Sequence, residues 1–453
     1  MKFPLGSLVV AVVLCGCEHL NPVYQNTSAN PNKSVVAKTG YDLAFIEFGE
    51  QGSYQDPTQL QNALDLIKRT PRPLVITYVH GWHHGAASRD VDSFSGWLSE
   101  ISKTQLIRDS GLHPIGVYLG WRGESTTIPV VRQFTFFSRK AAAERLASNF
   151  DCYDAIAAVS QAARESHGPG GQYTVLIGHS FGGLVVERSV AHAINAEMHG
   201  HAAADRSLPA DLILMVNPAS DSILTRQMIA ALSSRHTENS RPFLVSLTST
   251  ADAATGTAFP ISTSLAATTK VFNEVQVPGM EQRESERRFY TATPGHNAFL
   301  INHETVKLDK TIQAPGGLSA LQTNLSHNLT GEVFTTDGAN GTLDLWHIKQ
   351  TGNVDVPYWD VKVDPSIIKN HGDIWNPKAQ AMMAAVFRMT NPLINREHKV
   401  KPRANLNKEP TRPALVPGPD QSHPKLKSES ALKPSPSKPS PKPRSEVPLE
   451  RTR

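Results

Sequence analysis

Short β-rich apolar runs alternate with amphipathic stretches along the middle of this chain. Tyr41 to Phe48 begins the pattern, and Thr58 to Lys68 follows with Leu60, Leu64 and Ile67 on one side of a helix. Pro73 to Val79 reads as a strand, the residues near Val91 to Ile107 as a helix, and Pro114 to Trp121 as a strand. A long helix is expected near Ala141 to Glu165, then the strand Tyr173 to Ile177 and a helical pattern from Leu184. Asp211 to Val216, Ile223 to Ser233 and Pro242 to Thr248 continue as strand, helix and strand. Tyr358 to Val363 reads as the last strand, and Pro377 to Met389 as a closing helix. Strands that are apolar on both faces, with helices between them, predict an α/β protein with a mostly parallel sheet covered on each side. Right-handed crossovers make such a sheet doubly wound.

Residues 256–350, before the last strand, match no core element. An insertion of that length predicts small elements of its own and a cap-like position over a site.

Composition changes the picture at both ends. From Arg396 to Arg453 there are 14 Lys and Arg against 6 Asp and Glu, with proline recurring in Lys-Pro and Ser-Pro units. Such a stretch buries too little apolar surface to offset its ordering entropy, which predicts a disordered basic tail. Its net charge is +8 and the whole chain carries +4, so the remainder is at −4. That balance argues against a nucleic-acid-binding body, and leaves the tail as a spacer or a contact for anionic envelope components. At the other end, Met1-Lys2 precedes an apolar stretch from Leu5 to Leu14, which is too short to span a bilayer and suits a signal peptide over residues 1–16. Leu14-Cys15-Gly16-Cys17 resembles a bacterial lipobox, although Cys15 stands where Ala, Ser or Thr is usual. That resemblance implies lipidation of Cys17 and a membrane-anchored location in the cell envelope. A flexible linker over 17–40 would then lead into one domain over 41–395. Cys152, the one cysteine left with a free thiol after such processing, can form no intramolecular disulfide.

The candidate chemistry centres on Gly178-His179-Ser180-Phe181-Gly182, which lies directly between a predicted strand and a predicted helix. A turn sharp enough to thrust a serine oxygen above a sheet forces backbones together, and Gly178 and Gly182 carry no Cβ to collide. Ser180 is therefore the candidate nucleophile.

With Val79-His80-Gly81-Trp82 as a second motif, residues 41–390 resemble an α/β-hydrolase-fold serine hydrolase of the esterase or lipase type. The resemblance implies the chain order serine, acid, histidine, and two main-chain N–H groups as an oxyanion hole. Here those would be the amide of Phe181 and that of Trp82, with His80 and Gly81 as the family's His-Gly dipeptide. The base is expected on a loop after the last strand, which selects His371, with His296 in Thr293-Pro-Gly-His-Asn297 as its competitor. The resemblance selects Asp252, past the strand ending at Thr248, as the acid, with Asp221, past the preceding strand, as the alternative.

Together these readings predict hydrolysis of carboxylic acyl esters, small or lipid, through a covalent acyl-enzyme. The alternatives are an amidase or thioesterase on the same fold, or a binding or scaffolding envelope lipoprotein that has lost activity. No motif implies a metal, nucleotide or organic cofactor.

Overall fold

The computed structural model describes residues 34–125, 135–166, 173–198, 208–233, 242–326, 332–352 and 354–390. The expected leader, the lipobox with Cys17 and the basic tail lie outside the described residues, as does most of the expected linker. Among the described residues no helix is long and apolar enough to cross a membrane.

Seven strands carry the first part of the sheet: β1 (Val35–Lys38), β2 (Tyr41–Glu47), β3 (Pro73–Val79), β4 (His113–Gly120), β5 (Tyr173–His179), β6 (Leu212–Val216) and β7 (Leu244–Ser249). A small separate hairpin follows, β8 (Glu274–Gln276) with β9 (Arg283–Ser285). Then come β10 (His303–Gln313), β11 (Val333–Asp337), β12 (Thr342–Gln350) and β13 (Tyr358–Val363). The main sheet has eleven strands in the order β1-β2-β4-β3-β5-β6-β7-β13-β10-β12-β11. The pairings from β2 through to β10 are all parallel, and those at the two margins are antiparallel.

Helices cover both faces. Against one face pack α1 (Pro57–Arg69), α4 (Phe136–Ser148), α5 (Phe150–Glu165), α6 (Phe181–Met198) and α7 (Ile223–Ser233). Against the other pack α2 (Arg89–Ser102), α3 (Gln105–Ser110), α10 (Ala320–Asn324) and α11 (Pro377–Thr390). Two further short helices are α8 (Phe259–Ala266) and α9 (Glu286–Tyr290). Within β2 the two faces separate residue by residue: Ala44 and Ile46 join one core, Leu43 and Phe45 the other. Burial on both sides is why these strands read as continuous apolar runs.

Three expectations are corrected. The long helix over 141–165 is two helices, because Asn149 is extended (φ −82°, ψ 134°) and its side chain accepts the Asp151 N–H at 2.9 Å to start α5. The helix over 91–107 likewise breaks before Thr104, which is extended at the start of α3. The stretch 256–350 does contain sheet elements: β10, β12 and β11 extend the main sheet past β13. In its earlier part, His296 packs on Gly256 and lies 3.2 Å from the Thr255 hydroxyl oxygen, beside the site.

Candidate active site

Parallel strands send their C-terminal ends to one edge, and the candidate residues follow those ends in turn. Ser180 follows β5, Asn217 follows β6, Asp252 lies three residues past β7, and His371 lies on the loop after β13.

Ser180 sits at φ +58°, in the left-handed region that a β-carbon disfavours. The turn is pinned from both sides: the Ser180 N–H donates to the Val216 carbonyl at 3.2 Å, and the Ser180 carbonyl accepts from Ala219 N–H at 3.0 Å. Close approach explains the glycines. A Cβ on Gly182 would fall 2.0 Å from the Val79 carbonyl oxygen, and one on Gly81 would fall 2.7 Å from Ser180 Cβ. The loop after β3 is thereby pressed against the serine.

His371 Nε2 is 2.7 Å from Ser180 Oγ, and His371 Nδ1 is 2.8 Å from Asp252 Oδ2. Ser180 and Asp252 are buried, while His371 is partly exposed. Burial alone would push the Asp252 carboxyl up, but the hydrogen bond and charge of His371, with donors from Thr255, hold it below its ordinary value. The acid is thus ionised, and His371 Nδ1–H donates to it. This leaves His371 Nε2 as a lone pair facing the Ser180 hydroxyl, the arrangement that lets an imidazole accept a serine proton.

The His371 loop is tied down at several points. Ser249 Oγ donates to the Ile368 carbonyl at 2.6 Å, Asn376 Nδ2 to the Ile367 carbonyl at 2.9 Å, and Trp375 Nε1 to Asp90 Oδ1 at 3.0 Å. His179, the variable residue before the serine, donates from Nε2 to the His371 carbonyl at 2.9 Å. Burial pushes the His179 imidazole down to about 3, with the charge of His371 adding to it, so this ring stays neutral.

No family model, curated protein or solved structure matches this chain.

The two competing candidates lie elsewhere. Asp221 faces Arg188 on α6 at 3.5 Å, and burial raises its carboxyl. His296 lies beside Thr255, with Nε2 at 3.2 Å from the hydroxyl oxygen, and its ring meets Asp252's neighbour rather than Ser180. The residues before it are mostly helix α9, started by Ser285, whose side chain accepts the Arg287 N–H.

Among the described residues, neither the Phe181 N–H nor the Trp82 N–H has a hydrogen-bond acceptor. Phe181 opens α6, where the helix dipole adds positive potential. His80 is not a free base: it accepts the Trp121 N–H at Nε2 (3.0 Å) and lies 2.9 Å from the Gly81 carbonyl at Nδ1. Burial pushes it down to about 4, so its role is to hold the Gly81–Trp82 turn. Beside that turn the Trp82 ring lies 6.3 Å from Phe181 and 5.7 Å from Phe136, and Phe136 lies 6.4 Å from Phe259 of α8. Thr255, Asn217 and His179 were not singled out from the sequence as site residues. The Asp-x-x-Thr spacing of Asp252 and Thr255, which suits a side chain folding back on a turn, was the available signal.

Proposed function

We propose that this protein is a serine hydrolase of the α/β-hydrolase fold that cleaves carboxylic acyl esters through a covalent acyl-enzyme. The observation that carries the reading is the unbroken series Ser180 Oγ, His371, Asp252, with contacts of 2.7 and 2.8 Å. The left-handed Ser180 turn between β5 and α6, the chain order serine, acid, histidine and the two acceptor-free amides support it.

Ser180 Oγ attacks the ester carbonyl carbon while His371 Nε2 takes the hydroxyl proton, and Asp252 steadies the imidazolium that forms. The amides of Phe181 and Trp82 donate to the oxyanion. Collapse of the tetrahedral adduct breaks the bond to the alcohol oxygen, which receives the proton from His371. Water, deprotonated by the same imidazole, then attacks the acyl carbon and restores the serine. The aromatic wall of Trp82, Phe136 and Phe181 suits an apolar acyl group. The same reading includes a lipid anchor at Cys17 and a place at the bacterial cell envelope, supported by the lipobox-like residues Leu14 to Cys17.

A fluorophosphonate probe should label the folded protein at Ser180, and Ser180→Ala should abolish both labelling and turnover of short-chain acyl esters. A folded preparation that neither reacts with the probe nor turns over esters, thioesters or amides would overturn the proposal. Preference for amide or thioester over ester in the same panel would move the substrate class while keeping the nucleophile.

A further inference from the structure

The hydrogen-bond series continues past Asp252. Thr255 Oγ1 is 2.5 Å from Asp252 Oδ2 and 3.2 Å from His296 Nε2. An ionised carboxylate only accepts, so the Thr255 hydroxyl proton points at Asp252. Its oxygen is then the acceptor toward His296, whose Nε2 must carry a proton. The order of donation is His296 to Thr255 to Asp252 from one side, and His371 to Asp252 from the other.

All the acceptor capacity of the carboxylate is used in this way. Oδ1 takes the N–H groups of Ala254 at 2.9 Å and Thr255 at 3.3 Å, while Oδ2 takes Thr255 Oγ1 and His371 Nδ1. Asp252 and Thr255 are both buried, where such charge-assisted bonds are strong. The seat of His296 is also built for it. A Cβ on Gly256 would fall 2.7 Å from the His296 ring, and one on Gly295 would fall 2.1 Å from Thr248 Cβ. Bare backbone at both places lets the segment Pro294–His296 settle against the end of β7 and present its imidazole to Thr255.

We propose that Thr255 and His296 are positioning residues that hold the Asp252 carboxylate in the orientation facing His371, with His296 acting through the Thr255 hydroxyl. This inference rests on the reading of Ser180, His371 and Asp252 as the reacting set. Without the Thr255 donor, Oδ2 is held by His371 alone, and it can swing about the anchored Oδ1 as the imidazole shifts between serine and leaving group. The loss then falls on the step in which His371 carries charge, and so on kcat rather than on KM.

Four variants of the full-length protein test this. Thr255→Val keeps shape and removes the donor, and Thr255→Ser restores it. His296→Phe removes the ring N–H, and His296→Gln places an N–H near the same point. Two readouts are taken: steady-state hydrolysis of a short-chain acyl ester, and the downfield proton NMR signal of His371 Nδ1–H. Thr255→Val should lower kcat by about 10-fold to 100-fold with KM within about twofold, and His296→Phe by about 3-fold to 10-fold. Thr255→Ser and His296→Gln should stay near the parent, and Thr255→Val combined with His296→Phe should be no worse than Thr255→Val alone. The NMR signal should shift in the two disabling variants and not in the two conservative ones. Parent-like kcat and signal in Thr255→Val or His296→Phe, or losses that multiply in the double variant, would overturn the positioning role. The NMR signal needs no turnover. A shift in the expected pattern from a protein that cleaves no ester would support the positioning role and overturn the ester reading alone.

Discussion

Asn217 holds the His371 main chain: its Nδ2 donates to the His371 carbonyl at 3.0 Å, while its Oδ1 accepts the Ser249 N–H at 2.9 Å. One amide thus ties the end of β6 to the end of β7 and to the loop that carries His371. Asn217 itself sits at φ +46°, a conformation that asparagine tolerates better than most residues.

Asn217→Gly keeps that backbone conformation and removes both bonds. The expected result is a kcat lower by about 10-fold to 100-fold, since the base is no longer held in register with Ser180. The two lost hydrogen bonds should also cost about 1–3 kcal/mol of stability, read by chemical denaturation.

Asp252→Asn should be more damaging than its size suggests. The Oδ1 position faces two main-chain N–H groups that cannot change role, so the new NH₂ must turn toward His371. There it forces the imidazole proton onto Nε2, leaving nothing to accept the Ser180 proton. A fall in kcat of about 10⁴-fold is expected, with the thermal midpoint nearly unchanged.

Gly182→Ala tests the close approach at the elbow. Its Cβ would fall 2.0 Å from the Val79 carbonyl oxygen and 2.6 Å from that of His80, both backbone atoms that cannot swing away. A loss of about 3 kcal/mol or more is expected in a thermal or urea melt. Because the displaced segment leads into Trp82, acylation by a fluorophosphonate should also slow.

Asp360 gives a pH prediction far from the chemistry. It lies opposite Ser246 in the β13–β7 register, fully buried, and neither carboxyl oxygen meets a hydrogen-bond donor at bonding distance among the described residues. Burial raises its carboxyl to about 8, with the Ser246 hydroxyl opposing and the nearby Glu187 charge adding. Above the ordinary carboxyl value the unfolded chain has lost this proton while the folded protein keeps it. The group's contribution to stability is therefore complete in acid and is lost as pH rises toward about 8. Asp360→Asn cannot ionise, so its stability relative to the parent should climb by about 1.4 kcal/mol per pH unit across that window. Denaturant melts at pH 5 and pH 8 measure the difference.

The parts of this architecture that were legible in the sequence are those where local sterics or two-sided burial leave a mark. Tyr173 to Ile177 shows its burial as an unbroken apolar run, and the Ser180 turn shows its crowding as flanking glycines. His371 was legible through its place after the last strand and before a closing helix. Asp252 was set above Asp221 only by the resemblance, because each follows a parallel strand and the difference lies in what the side chain meets: His371 and Thr255 for one, Arg188 for the other. The break at Asn149 was hidden because helical periodicity resumes on its far side. Strands β10 to β12 were missed because the outer half of β10, Lys307 to Gln313, is largely exposed and polar and so carries no core signal.

The position of β13 bears on how the molecule is completed during synthesis. This strand is made after β10, β11 and β12, yet it lies between β7 and β10 in the finished sheet. The last of the described strands to be made therefore closes a gap between two blocks that precede it, and it brings the loop with His371 along. Until the chain has passed residue 371, no strand joins β7 to β10 and Ser180 lacks its contact with His371. A nascent or truncated chain ending before Tyr358 would thus lose the seam of the sheet rather than an edge, and with it the contact between His371 and Ser180.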